Sequence, residues 1–375
     1  MKKVCIVTAA RSEYGPLRWI IEGVYTSPNL ELQLVVTGAH LSEEQGYTYK
    51  NIEDDGYPIA AKIDMHLDSS SKEVIVKSMG YCSIGIAETF TKLNPDLLVV
   101  LGDRYELIPI CSAALVMNIP IAHISGGDVT IGAIDNEIRN AVTMMSTLHF
   151  PGVQESAENI IRMRNSNKNV WAVGEPGLDN FRRLNLMSRQ EIADNIEIPL
   201  ENKWILVTLH PETQESLEYN IKMAKNIISL TDSIENISVV ITKANADFGG
   251  IQINEYWDKG ANNNSAKYHL YPSLGQERYL SYMKECYAVI GNSSSGIIEA
   301  PCLGIPVINI GNRQKGRHLC RNVRQIKNYS DELFLAWKDI EMSTEKPIDN
   351  YYGDGFTAAR IVKHIDDYFK NEISK

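Results

Sequence analysis

The sequence has no apolar run approaching the length of a membrane span, and its opening, MKKVCIVTAAR, reads as a strand and not as a signal peptide. It has no CxxC spacing either. Six cysteines (Cys5, Cys82, Cys111, Cys286, Cys302 and Cys320) are scattered, most of them inside apolar runs. They read as reduced core thiols of a cytoplasmic protein, not as a disulfide frame or a zinc site. Positive charge is in deficit: a formal net charge of −10 argues against nucleic acid or an anionic membrane as the main partner, so an anionic ligand must be held by local arginines. Internal repeats, low-complexity tracts and coiled-coil heptads are absent. What is present is ordinary globular material, 44% hydrophobic and 22% charged over 375 residues, enough for two domains with ample core.

Strand-like and helix-like segments alternate through most of the chain. Apolar runs at 4–8, 32–37, 97–101, 120–124, 148–150 and 170–173 read as strands, with a short one at 59–63 in the otherwise irregular stretch 39–71. Helical spacing begins at Leu17 and recurs at 75–93, 106–117, 135–146 and 154–164. Residues 175–201 are polar and look like a connection. A second series follows, with strands at 204–209, 237–242, 267–271, 288–290 and 306–310 and helices near 215–230, 275–286 and 295–303. This β/α alternation predicts parallel sheets covered on both faces. The expected fold class is α/β: two doubly wound Rossmann-like domains facing a cleft, residues 1–175 and 201–355, joined by 176–200. The tail 356–375 carries Val362, Ile365, Tyr368 and Phe369 on one helical face.

In open parallel sheets ligands bind beyond the carboxyl ends of the strands. The segments found there are Arg11 to Gly15, His40, Asp103-Arg104, His123 to Asp128, His210, Asn245 and the turn Ser293-Ser294-Ser295. That turn lies between a strand and a helix, where free backbone N–H groups and hydroxyls suit a phosphate or diphosphate. An ordinary serine N-cap explains the turn alone equally well. Glu299, one turn into the helix and placed to accept from ribose hydroxyls, favours the anion site, as do Arg313 and Arg317 beyond the next strand. LGDRYE with HISGGD also has the residue types of a two-metal phosphoesterase. Against a metal stand the missing second ligand near TLHPET and the cation of Arg104 beside Asp103.

Taken together, ARSEYGPL, VTGAHL, LGDRYE, GAIDNEIRNAVTMMS, HPET, NADFGG, GNSSSGIIEAP and INIGNRQKGR closely resemble the UDP-N-acetylglucosamine 2-epimerase family. The likeness is strongest to the hydrolysing members that open bacterial sialic and legionaminic acid pathways, and it covers nearly the whole chain. It implies the two-domain GT-B arrangement, with the C-terminal helix crossing back to the first domain. It also implies that Arg11, Gly15, His210, Ser293, Ser294, Ser295, Glu299 and Arg313 hold the nucleotide, with Arg104 and Asn245 nearby. Asp103 and Asp135 match catalytic carboxylates, and His210 assists departure of the diphosphate. The implied chemistry is anti elimination of UDP to a 2-acetamidoglycal, then hydration with inversion at carbon 2. No cofactor or metal is implied. The implied partners are a UDP-activated acetamido sugar, UDP and a second copy of the chain in a homodimer.

One departure stands out. Many relatives carry Glu, and others His, where this chain has Ser125, which cannot titrate. Asp128 is the compensating candidate, so the expected catalytic set is Asp103, Asp128, Asp135 and His210. The competing functions are a GT-B glycosyltransferase, a non-hydrolysing epimerase using a UDP-sugar, and a nucleotide-sugar-binding regulator without turnover.

Overall fold

The computed structural model describes residues 1–43, 47–67, 72–129, 134–212, 215–244 and 249–373. The chain forms two compact units, Met1–Arg182 together with the chain from Gly353 onward, and Arg183–Tyr352.

The first unit is built on a parallel sheet of β1 (Lys2–Thr8), β2 (Leu30–Thr37), β3 (Ile59–Ile63), β4 (Leu97–Leu101), β5 (Ile121–Ile124) and β6 (Leu148–Phe150), in the order β3-β2-β1-β4-β5-β6. These strands are continuous apolar runs because both faces are covered. Val7, Val35, Leu98 and Val100 pack with Cys82, Ile86 and Phe90 of the helix Lys72–Leu93 and with Ile110 and Cys111 of the helix Leu107–Val116. The helix Arg11–Tyr25 buries Leu17, Ile20, Ile21 and Val24. The C-terminal helix Thr357–Ile373 returns to this unit, where the Asp179 carboxylate accepts from the N–H groups of Thr357 (2.9 Å) and Ala358 (2.8 Å). That contact satisfies free N–H groups and complements the helix dipole.

Residues 170–173 do not form the expected strand. Trp171 and Val173 donate to the carbonyls of His149 and Pro151 (both 3.0 Å), yet the only bridge is His149 with Val170. Pro151 has no N–H to continue the ladder, so pairing stops there. The connection is also more folded than its polarity implies. Its first part joins the first unit through Trp19 Nε1, which donates to Asn180 Oδ1 (2.8 Å). Its second part holds the helix Arg189–Ile196, opened by a reciprocal capping box between Ser188 and Glu191.

The second unit repeats the topology. Its strands are β7 (Lys203–Thr208), β8 (Ile237–Thr242), β9 (Tyr268–Tyr271), β10 (Ala288–Gly291), β11 (Val307–Ile310) and β12 (Val323–Ile326), all parallel in the order β12-β11-β10-β7-β8-β9. Ile205, Val207, Ile241, Ile290 and Ile308 pack on Met223, Ile227 and Leu230 of the helix Leu217–Asp232 and on Leu333 and Trp337 of the helix Ser330–Met342. Strand order therefore reverses between β1 and β4 in one sheet and between β7 and β10 in the other. Connections diverge at such points and leave a crevice beyond the strand ends. All six cysteines are free thiols, and only Cys302 is not fully buried. Among the described residues no helix is long and apolar enough to cross a membrane.

Candidate active site

At the reversal point of the second sheet, β7 and β10 run into Leu209-His210 and Asn292-Ser293. A Cβ on Gly291 would lie 2.0 Å from the Thr208 carbonyl oxygen, and its φ is +146°, so only glycine lets the strands close here. Asn292 then ties the two exits together: His210 N–H donates to its Oδ1, and its Nδ2 donates to the His210 carbonyl, both at 2.8 Å. Burial, assisted by the charge of Arg313, lowers the His210 pKa to about 4, so the imidazole is neutral at physiological pH.

Arg313 comes from the loop after β11, and its Nη1 donates to the Asn292 carbonyl at 3.1 Å. Glu212 of HPET fixes that loop by accepting from the N–H groups of Asn312 (2.7 Å) and Arg313 (3.2 Å). A Cβ on Gly311 would meet Glu212 Oε1 at 2.1 Å, so glycine is required there too. Asn220 in turn holds the Glu212 backbone with bonds of 2.7 and 3.1 Å. Asn292 and Glu212 thus position the loops, roles the sequence reading missed, although both lie inside quoted motifs.

The serine turn is the N-cap the sequence allowed. Ser293 is the N-cap of the helix Ser294–Cys302, with its hydroxyl accepting from Ser295 N–H at 3.4 Å, and such a cap is also the geometry that presents N–H groups to an anion. Ser295 Oγ is held by the hydroxyls of Tyr279 (2.5 Å) and Ser293 (3.0 Å), while Ser294 is half-buried. Further along the helix, Glu299 Oε2 is buried and accepts no hydrogen bond among the described residues, and Arg317 Nη1 likewise donates none. Burial raises the Glu299 pKa to about 7, against the opposing pull of Arg317. Buried polar atoms are nearly always paired, so an anion and a cation side chain with free capacity on one site fit a ligand carrying hydroxyls and phosphate.

The first sheet has a corresponding cluster beyond β1 and β4. The chain is helical already from Arg11, ahead of the spacing that begins at Leu17; Arg11 is exposed, and Gly15 lies buried inside that helix. Arg104 does not face Asp103. It grips the buried Glu106, Nη2 to Oε1 at 2.7 Å, and although burial works against its charge, Glu106 outweighs that and holds it protonated. The cation against Asp103 is Arg139, almost fully buried on the helix Asp135–Met145. Asp135, half-buried, opens that helix one turn before Arg139. Arg139 also donates to the Asp128 carbonyl at 2.9 Å, and the Asp128 carboxylate accepts from Ser156 Oγ at 2.6 Å. His40 and His123 belong to the interior. The His40 ring bridges the hydroxyls of Thr8 (3.0 Å) and Thr48 (2.9 Å), and the His123 ring bridges the Gly102 carbonyl (2.8 Å) and Thr143 (3.1 Å). Burial lowers both to about 4. Asn245 lies outside the described residues. Among the described residues no three His, Cys, Asp or Glu side chains converge as a metal site requires.

The chain thus has two Rossmann-like units, one with a serine turn and arginines at the reversal point of its sheet and one with an arginine-paired carboxylate. Residues 23–366 match the family described as UDP-N-acetylglucosamine 2-epimerase, and the chain belongs to that family. It is 37% identical, over 91% of its length and 88% of the relative's, to the GDP/UDP-N,N'-diacetylbacillosamine 2-epimerase (hydrolyzing) of Campylobacter jejuni. It is 33% identical, over 99% and 95% of the two chains, to the polysialic acid biosynthesis protein P7 of Escherichia coli. Among solved structures, the Methanocaldococcus jannaschii UDP-GlcNAc 2-epimerase in complex with UDP-GlcNAc and UDP has the same fold. The TM-score is 0.79 over 97% of this chain and 99% of that one, at 17% identity.

Proposed function

We propose that the protein is a hydrolysing UDP-N-acetylhexosamine 2-epimerase that releases UDP and a free sugar inverted at carbon 2. Its substrate is UDP-N-acetylglucosamine or UDP-N,N'-diacetylbacillosamine, and its product a mannosamine-type precursor of a nonulosonic acid. The observation that carries this reading is that Glu299 Oε2 and Arg317 Nη1, buried and without a hydrogen-bond partner among the described residues, lie on the helix and loop that also bear the serine turn and Arg313. Glu299 takes the ribose hydroxyls, and Arg313, Arg317 and the N–H groups of the serine turn take the diphosphate. Support for hydrolysis comes from the C. jejuni relative, whose name includes it and which matches over 91% of this chain.

The proton on carbon 2 is not acidic, so elimination depends on stabilising the departing UDP. Arg313 supplies charge, and the neutral His210 imidazole donates a hydrogen bond without repelling it. In the first unit Asp103, paired with Arg139, and Asp135 serve proton transfer. Asp128 holds Arg139, and through it Asp103. Arg11, Gly15, Arg104 and Asn245 take the supporting places the resemblance implies, and a homodimer is part of the same reading.

The test is incubation with each UDP-sugar in deuterated water, followed by NMR. UDP should appear in equal amount with a free sugar deuterated at carbon 2. Hydrogen retained at carbon 2 refutes the mechanism. Sugar transferred only to an added acceptor identifies a glycosyltransferase instead.

A further inference from the structure

Inversion at carbon 2 sets a requirement on the proton-transfer groups. In the elimination the C2–H bond breaks, and its electron pair forms the C1=C2 double bond. The C1–O bond leaves with its pair on UDP, and the hydrogen departs as a proton to a carboxylate. In the hydration a carboxylic acid returns a proton to carbon 2 on the opposite face, the water oxygen bonds to carbon 1, and the water's spare proton passes to a carboxylate. A single carboxylate cannot reach both faces of the ring, so every carboxylate held at the sheet edge is a candidate for one of the two transfers.

Ser125 holds one such carboxylate. Leu101 pairs with Ile124, so Asp103 and Ser125 leave the sheet side by side from β4 and β5. Ser125 adopts φ +56°, a conformation most side chains avoid, and its hydroxyl donates to Glu175 Oε2 at 3.0 Å across 50 residues of sequence. The chain makes room for this carboxylate. A Cβ on Gly152, just past β6, would lie 1.8 Å from Glu175 Oε1, so any larger residue would displace it. The backbone behind it is held from the far end of the sequence. Thr357 Oγ1, at the start of the C-terminal helix, reaches the carbonyls of Val173 (3.2 Å) and Glu175 (3.4 Å), and Arg360 Nη1 donates to Val173 at 3.1 Å. A half-buried carboxylate with a cut-away neighbour, a hydroxyl anchor and a fixed backbone is more than a surface residue needs.

Taking the epimerase reading as given, we propose that Glu175 is a catalytic proton-transfer carboxylate at carbon 2, with Ser125 as its positioning residue. The titratable group that position 125 lacks is thus supplied through space by residue 175.

The experiment uses the purified full chain with UDP-N-acetylglucosamine and UDP-N,N'-diacetylbacillosamine. Glu175→Gln should lower turnover by at least about 100-fold, the lower bound for a general acid or base, with UDP affinity kept and one limb of the pH–rate profile lost. Ser125→Ala should keep that limb but move it to higher pH, because the carboxylate loses a donor that favours its charged form. Turnover of Glu175→Gln within about threefold of the parent chain overturns the assignment, since such a group should contribute far more. If that variant does not fold, an unmoved limb in Ser125→Ala overturns it. A parent chain that releases UDP and inverted sugar while Glu175→Gln does the same loses only the Glu175 role. A parent chain that releases nothing from either sugar overturns the epimerase reading and this assignment with it.

Discussion

Replacing Glu299 with Gln should make the second unit more stable and its grip on UDP weaker, two effects of opposite sign from one atom. Glu299 Oε2 is buried without a hydrogen-bond partner among the described residues, and burial moves the carboxyl from its ordinary 4.5 to about 7. That displacement corresponds to about 3 kcal/mol of folding free energy at high pH. Below about pH 4.5 the carboxyl is protonated in both the folded and the unfolded chain, and the substitution gains little. Between 4.5 and about 7 the unfolded chain loses its proton first, so the parent's stability falls as pH rises. Above 7 the deficit is complete. Glu299→Gln should therefore melt at nearly the same temperature as the parent at pH 4.5, and up to roughly 10 °C higher at pH 8 for a unit of this size. Fluorescence suits the assay, because Trp204, Trp257 and Trp337 are all buried in the second unit. The same variant loses a charged acceptor for the ribose hydroxyls, about 1.5–3 kcal/mol, or roughly 10- to 150-fold in UDP affinity by calorimetry. A variant less stable than the parent at pH 8 would show that the carboxylate is satisfied in the free protein. Unchanged UDP affinity would remove Glu299 from the nucleotide site.

Two further outcomes follow from the same geometry. Arg313→Ala should weaken UDP binding by about 1.5–3 kcal/mol, the contribution of a charge-assisted phosphate contact, and unchanged affinity by calorimetry would place the cradle elsewhere. Asp128→Ala should cost about 1.5–3 kcal/mol of stability, because it removes the charged acceptor of Ser156 Oγ at the start of the helix Gln154–Arg164, while turnover stays within about tenfold. A hundredfold loss at matched folded fraction would return Asp128 to the chemistry.

Most of the scaffold was legible because strands buried on both faces are written as unbroken apolar runs. Ile59–Ile63, Leu97–Leu101, Leu148–Phe150 and Ile237–Thr242 were read to the residue. The strand Val323–Ile326 went unread because it is an edge strand with a single partner, and its Arg324 and Gln325 break the apolar run. The helix Ser330–Met342 was readable from Leu333, Ala336, Trp337 and Ile340 at helical spacing, and was passed over with the strand before it. Gly15-Pro16 disguised the helix that begins at Arg11, since both residues ordinarily punctuate.

The site divides along a different line. Strand ends told which side chains reach the ligand edge of each sheet, because β/α topology dictates that. They could not tell which of those side chains are already engaged with one another. Arg104 is taken by Glu106, His123 by Gly102 and Thr143, and the carboxylate of Asp128 by Ser156. Glu299 and Arg317, equally plain in the sequence, carry buried atoms with no such partner. Partnering is settled by packing across tens of residues, and no local spacing encodes it. Hence Asp103 was paired on paper with the neighbouring Arg104, whereas in space its counter-ion is Arg139, 36 residues away. For the same reason the acid that contacts Ser125 could not be found by searching its own motif, where Asp128 was the nearest acid. Glu175 meets the Ser125 hydroxyl only because β5, the turn after β6 and the start of the C-terminal helix come together there.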